Sequence, residues 1–137
     1  MKKESLVEIA LVLLRIAAGV MFIQNGGLKL FGWFGGMPPG MPLTPLIVTA
    51  GILEVVGGIA IILGLFTRPV AFVLSGEMAV AYFMGHATQG HFWVPLLNQG
   101  APAVLLCFIF LFLAAFGAGA YSIDRMWSNR RTENTIA

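Results

Sequence analysis

Charged residues are scarce in this sequence. Asp, Glu, Lys and Arg make up 10% of the 137 residues, whereas 58% are hydrophobic. A soluble globular domain has about a quarter of its residues charged, so these few charges could not cover the exterior of a domain in water. The sequence therefore predicts an integral membrane protein, with the lipid bilayer as the solvent for most of the chain.

Cysteine is also scarce, and the net charge is small. The single cysteine, Cys107, excludes a disulfide framework, a Cys-x-x-Cys redox pair and a zinc cluster. It shares a helix face with small and aromatic residues, which favours a packing role over that of a nucleophile. A net charge of +2 gives no basic patch for nucleic acid. We expect no metal site and no nucleic-acid partner.

Four apolar runs, bounded by Pro, Gly and charged residues, are long enough to cross a membrane. They predict helices over about residues 6–31, 45–66, 69–85 and 102–123. A helix rises 1.5 Å per residue, so each run spans most or all of the roughly 30 Å of hydrocarbon. With no repeat and no long linker, residues 1–137 form one domain. The predicted fold is an all-α, integral membrane four-helix bundle.

Basic residues are concentrated on one side of this arrangement. With four spans, both termini and the connection between the second and third helices share a side. That side carries Lys2, Lys3, Arg68, Arg125, Arg130 and Arg131. The positive-inside bias then predicts that the N and C termini are cytoplasmic. On the same side, Asp124 and Arg68 are expected to form an ion pair that ties the two hairpins together.

Three ionisable residues fall near the middle of the predicted spans: Arg15, Glu54 and Glu77. Charges at this depth usually face a partner or a wet cavity. In one interpretation Arg15 is a buried counter-ion that holds both glutamates and keeps three helices in register. In the other, two carboxylates against one guanidinium leave an excess negative charge, so one glutamate is protonated and the three residues form a proton site.

A second polar group is expected near the outer membrane surface. It contains Asn25, Lys29, His86 and His91, with tryptophan and phenylalanine nearby. In one interpretation these are ordinary interfacial residues, with Lys29 extending toward water. In the other they bind a quinone head group while the quinone tail lies in the bilayer. Haem ligation by the two histidines is a poor alternative, because both lie on one connection, and copper bound with Met84 rests on composition alone.

Several segments resemble the DoxX family of small four-helix membrane proteins. They are Leu14-Arg15-Ile16 with Gly19, and then residues 25–32 (NGGLKLFG), 51–58 (GILEVVGG), 63–68 (LGLFTR) and 117–125 (GAGAYSIDR). The resemblance covers nearly the whole chain. It departs from the family at Asn25, where many members have His, and at Ala101 and Pro102, where many have an acidic residue.

The resemblance implies a multi-pass protein of the bacterial or archaeal cytoplasmic (inner) membrane, associated with redox metabolism. The resemblance implies no single reaction, and the function that we expect is a membrane subunit that interacts with the quinone pool and a redox-enzyme partner, with no covalently attached cofactor. If the protein is an enzyme, it is expected to be an accessory subunit of a quinone-linked oxidoreductase. The alternatives are a small transporter or proton-permeation unit, and a membrane scaffold for redox enzymes. Spare Gly and Ala residues on two helices also allow a homo-oligomer.

Overall fold

The structure, a computed structural model, describes residues 2–136. In this range it consists of helices joined by irregular segments, without a β-strand. The α-helices are α1 (Lys3–Phe31), α2 (Pro45–Leu63), α3 (Thr67–Ala81), α4 (Ala101–Phe116) and α5 (Ile123–Ile136). The segments long and apolar enough to cross a membrane are Glu4–Phe31, Pro45–Leu63 and Thr67–Gln89, with α4 as a shorter apolar helix. The prediction of an all-α integral membrane protein is confirmed.

The four apolar helices form two packed hairpins. α1 packs along α2, α3 packs along α4, and α2 also contacts α3. The rings of Phe22 on α1 and Phe110 on α4 meet edge to face at 4.5 Å, which joins the first helix to the fourth. We call the end of the bundle that holds the start of α1 and α5 the terminal end. The opposite end, with the two long connections, is the loop end.

Glycines bring α1 and α2 into backbone contact. A Cβ added at Gly58 on α2 would lie 2.7 Å from the carbonyl oxygen of Gly19 on α1, and one added at Gly26 would lie 2.6 Å from the carbonyl oxygen of Gly51. Small residues are the usual means of close helix approach in lipid, where no hydrophobic driving force acts between helices. This seam fixes the register of α1 on α2 and so positions the charged residues described below.

Gly58→Ala is expected to lower the free energy of unfolding by about 1–3 kcal/mol, because the added methyl group must push the two backbones apart. Gly76→Ala on α3 is the matched control, since a Cβ there meets no atom within 4 Å. Alanine in an open helix position should instead stabilise by about 0.5–1 kcal/mol. Thermal unfolding in detergent, followed by circular dichroism, measures both, and equal shifts in the same direction would contradict the close seam.

The predicted fourth helix, 102–123, is wrong at its C-terminal end. α4 stops at Phe116 and is followed by an irregular segment, 117–122, because Gly117 and Gly119 adopt positive φ angles of 97° and 81°. Irregular backbone near lipid is tolerated only when its polar groups have partners. Here side chains provide them. Glu8 Oε2 on α1 accepts from the backbone N–H of Ala120 at 2.6 Å.

Other boundaries also differ from the predicted ones. α2 ends at Leu63 rather than near residue 66, because Gly64 adopts a left-handed conformation that ends the helix. α3 begins at Thr67, ends at Ala81 and continues as a π-helical turn and a 3₁₀ turn to Gln89. α5 was not predicted. The residue in the sequence that indicates this helix is Ser122. Its hydroxyl accepts from the N–H of Arg125 at 3.2 Å, which is the pattern of a helix N-cap.

At the terminal end, Asp124 and Arg68 each bind backbone rather than each other. The Asp124 carboxylate accepts from the N–H groups of Phe66 at 2.7 Å and Thr67 at 2.8 Å, and so caps the start of α3. The Arg68 guanidinium donates to the carbonyls of Ala115 and Phe116 at the end of α4. The expected Asp124–Arg68 ion pair is therefore wrong. Arg68 instead ties α3 to α4 within the second hairpin, and Asp124 ties the start of α5 to the start of α3.

Candidate functional site

Lys29 and Glu54 form an ion pair across the α1–α2 seam. Lys29 follows Gly26 by three residues on α1, and Glu54 follows Gly51 by three residues on α2. Residues three apart share a helix face, so the contact between the two glycines brings the charged side chains together. Lys29 Nζ lies 2.5 Å from Glu54 Oε1. Glu54 is only 1% exposed, so its carboxylate is shielded from the surroundings of the bundle.

Glu77 on α3 completes a cluster with this ion pair. It lies close enough to Glu54 and Lys29 for their charges to act on it. Both oxygens of Glu77 and Oε2 of Glu54 are buried and accept no hydrogen bond within residues 2–136. We call Lys29, Glu54 and Glu77 the carboxylate cluster. One ammonium and two carboxylates leave a net negative charge, which is costly away from water, so a bound proton or a ligand with hydrogen-bond donors would stabilise the cluster.

Arg15 lies at the terminal end of the bundle and binds backbone. Its guanidinium donates to four carbonyl oxygens, those of Ile61, Ile62, Ala118 and Tyr121. The first two are in the last turn of α2, where helix carbonyls lack intrahelical donors. The other two are in the irregular segment 117–122. Arg15 is 2% exposed, so these bonds are made out of contact with water.

The expected role of Arg15 as counter-ion for Glu54 and Glu77 is therefore wrong. The acidic groups that act on its charge are Asp124 and Glu8, both at the terminal end. Of the three residues predicted to form a midplane site, the structure brings Glu54 and Glu77 together and leaves Arg15 elsewhere. Lys29, assigned from sequence to the outer group, takes the place of the cation.

The rest of the predicted outer group is dispersed. Asn25 lies on the exposed surface of α1. His86 is in the π-helical turn, where its Nδ1 lies 3.1 Å from the carbonyl oxygen of Asn98. His91 is exposed, and its carbonyl accepts from the side chain of Asn98 at 3.2 Å. No hydrogen bond or ion pair in the described part of the chain joins Asn25, His86 or His91 to Lys29.

A hydrogen-bond network holds the loop end instead. The buried Asn98 side chain donates to the hydroxyl of Tyr82 at 3.3 Å, and that hydroxyl donates to the carbonyl of Phe92 at 2.6 Å. Asn98 Oδ1 also accepts from the N–H of Gly100 at 2.9 Å. The histidines therefore belong to a structured connection over this end of α3 and α4.

The sequence contains a signal for the Lys29–Glu54 pair. In both helices a glycine is followed three residues later by a charged residue, Gly26 by Lys29 and Gly51 by Glu54. The two charges have opposite signs. When two helices meet through their glycines, this matched spacing places the charges side by side. The pairing follows from the seam rather than from membrane depth.

Comparison with known proteins identifies similar chains. The family model described as DoxX matches residues 10–87. An uncharacterized protein of Haemophilus influenzae is 43% identical over 83% of this chain and 87% of its own length. Two Escherichia coli proteins, inner membrane protein YphA and inner membrane protein YqjF, are each 32% identical; the matches cover 85% and 95% of this chain and 89% and 99% of theirs. No solved structure gives a significant match.

Proposed function

This chain belongs to the DoxX family and is an inner-membrane protein, and from that premise we propose that it is a redox-associated subunit that binds a quinone head group at the carboxylate cluster. The observation that carries the proposal is the set of buried carboxylate oxygens of Glu54 and Glu77 that have no hydrogen-bond partner in residues 2–136, next to the ammonium group of Lys29.

The groups of the cluster fit a quinone head. The Lys29 ammonium can donate to a quinone carbonyl oxygen while it keeps its bond to Glu54. Glu77 in its protonated form can donate to the other carbonyl oxygen, and it can then hold or release a proton at the same place. A bound quinone supplies two-electron chemistry in which its oxygens take up protons. The chain's own contribution is to orient the head group and to exchange a proton at a Glu77 oxygen.

An apolar groove beside the cluster gives a quinone tail a place to lie. The groove, about 340 Å³, runs between α2 and α3 and is lined by aliphatic side chains that include Leu53, Val56, Val73 and Leu74. Leu53 precedes Glu54, and Glu77 follows Leu74 by about one helical turn. A head group at the cluster and a tail along the groove would enter directly from the bilayer.

Electrons have to come from another protein in this proposal. The chain has one cysteine and two histidines, and its sequence has no dithiol, flavin or metal-binding motif. We propose a redox-enzyme partner that delivers or accepts electrons, with this protein holding the quinone and its proton. Exposed aromatic residues in the loop connections, including Trp33, Phe34 and Trp93, offer such a partner a surface.

The Glu77→Leu variant tests quinone binding separately from the stability of the fold. Because the Glu77 oxygens bind no described protein group, an apolar side chain of similar size should leave the free energy of unfolding unchanged or raise it. Affinity for a short-tailed ubiquinone or menaquinone analogue should fall about two- to tenfold, the value of one hydrogen bond between neutral groups. Fluorescence titration of the purified protein measures the affinity, and thermal unfolding measures the stability.

Glu4→Leu is the matched control, because Glu4 is exposed at the start of α1, and it should bind the analogue as the wild type does. Wild-type affinity in the folded Glu77→Leu variant, or the absence of saturable binding to the wild type, would remove the quinone proposal.

The net negative charge of the cluster also favours a second candidate, a proton-permeation unit. Proteoliposomes that contain only this protein, with an imposed membrane potential and an internal pH-sensitive dye, test it. Proton uptake that is lost in Glu77→Leu supports permeation, whereas uptake equal to that of empty liposomes rejects it. Co-purification of a redox enzyme with neither quinone binding nor proton uptake would favour a scaffold.

A further inference from the structure

A recess at the terminal end of the bundle is separate from the carboxylate cluster. Its volume is about 510 Å³, and it lies between the start of α3, the segment 117–122 and the start of α5. The polar side chains on its walls are those of Thr67, Arg68, Ser122, Asp124, Arg125 and Ser128. None of these groups enters the proposed quinone chemistry.

The walls of the recess carry an excess of positive charge. Arg125 is exposed, and Arg68 is exposed with its guanidinium bound only to neutral carbonyls of Ala115 and Phe116. The one acidic wall residue, Asp124, uses both oxygens to cap the start of α3, where the helix dipole offsets part of its charge. An anion in the recess would thus meet two guanidinium groups and a carboxylate already occupied by backbone N–H groups.

A buried hydroxyl in the lining of the recess has no hydrogen-bond partner among residues 2–136. Thr67 is fully buried and lines the recess, and its Oγ1 makes no hydrogen bond to any described residue. Such a group usually has a partner in folded proteins. An acceptor oxygen that reached this hydroxyl would provide one.

The rim of the recess is aromatic and apolar. Phe66, Pro69 and Phe116 belong to its lining and are exposed. Trp127 on α5 packs edge to face on Phe66, with ring centroids 5.7 Å apart. Tryptophan is characteristic of the interface between lipid and water. The recess therefore joins a basic polar pocket to an apolar surface at the level where phospholipid head groups lie.

We propose that this recess binds the phosphate of an anionic phospholipid from the surrounding leaflet. The phosphate oxygens accept from the guanidinium groups of Arg125 and Arg68, which suit phosphate geometry. The acyl chains extend into the bilayer past Phe66 and Phe116. Basic residues next to membrane spans attract anionic lipid by about 1 kcal/mol each, and here two of them share one pocket.

Arg125→Gln tests the proposal without disturbing the helix caps, because the Arg125 side chain makes no hydrogen bond or ion pair with any residue in the range 2–136. Protein in which Trp33 and Trp93 are replaced by Phe, so that Trp127 is the one tryptophan left, is reconstituted into nanodiscs of phosphatidylcholine with increasing phosphatidylglycerol, and the tryptophan fluorescence is followed. The wild type should show a saturable change, and the apparent dissociation constant should rise about fivefold in Arg125→Gln. Arg130→Gln, also on α5 but outside the recess, should match the wild type.

Native mass spectrometry of detergent-purified protein gives the second measurement. It should find about one retained phosphatidylglycerol per chain in the wild type and in Arg130→Gln, and less in Arg125→Gln. Equal retention in all three proteins, equal retention of phosphatidylcholine, or a Trp127 response to inorganic phosphate alone that matches the response to lipid would overturn the assignment to a lipid head group.

Discussion

Arg15→Met should be among the most destabilising single substitutions in this protein. It removes the bonds to four carbonyl oxygens, two at the end of α2 and two in the segment 117–122. The carbonyl of Ile61 keeps the N–H of Gly64 at 3.2 Å, whereas those of Ile62, Ala118 and Tyr121 lose the donor that the structure gives them. An unsatisfied buried polar group costs about 1–3 kcal/mol. Partial rearrangement among the four oxygens still leaves an expected loss of about 4 kcal/mol or more. Thermal unfolding in detergent, read by circular dichroism, should show a midpoint lowered by roughly 10 °C or more.

The shape of the donor, and not only its charge, accounts for this effect. Arg15→Lys keeps the positive charge, but one ammonium group has three donors on a single atom and cannot reach four spread carbonyls. Its midpoint should fall between those of Arg15→Met and the wild type. Arg130→Met, on the exposed surface of α5, is the control and should change the midpoint little. A stable Arg15→Met protein would mean that the carbonyls of Ile62, Ala118 and Tyr121 find other donors.

Lys29→Met should be the second large effect. It leaves the carboxylate of Glu54, 1% exposed, without its counter-charge and beside the carboxylate of Glu77. Removal of one partner of a buried ion pair costs about 3–5 kcal/mol, and the nearby second carboxylate increases the cost. Unfolding measurements in detergent should show this loss, with Lys2→Met, an exposed lysine, close to the wild type.

The double variant Lys29→Met/Glu54→Gln isolates the ion pair. With both charges gone, no uncompensated ion remains between α1 and α2, so most of the stability lost in Lys29→Met should return. The coupling between the two positions should then be about 2 kcal/mol or more in favour of the double variant. Additive losses at the two positions would show that Lys29 does not stabilise the bundle through Glu54.

The apolar helices could be predicted from the sequence because they follow from local patterns. Gly51 and Gly58 lie on one face of α2 at helical spacing, and the structure places that face against α1. Glu54 and Glu77 were predicted, together with Arg15, to face the interior because charges at such depth usually face a partner. The apolar helices and the glycine spacing depend on residues within one or two turns of each other, which periodicity can detect.

The partner of Arg15 could not be predicted in this way. A guanidinium can bind carboxylates or backbone carbonyls, and every residue has a carbonyl. The four that bind Arg15 became available because α2 ends at Leu63 and because Gly117 ends α4 early. Asp124 was likewise expected to pair with a charge, but the free N–H groups at the start of α3 lie within reach of both its oxygens. Both choices depend on the tertiary arrangement of helix ends.

The contacts of Arg15 have a consequence for the order of assembly. Two of its four acceptors, Ala118 and Tyr121, lie 103 and 106 residues further along the chain. During synthesis from the N terminus, the first helix enters the membrane with its arginine, and the α1–α2 hairpin can satisfy only part of the guanidinium. The remaining donors gain partners after α4 has been made and the segment behind it has folded back. In a chain interrupted before residue 117, the Arg15 guanidinium therefore has only its two acceptors on α2. The packing of α1 is complete only after the segment 117–122 has formed.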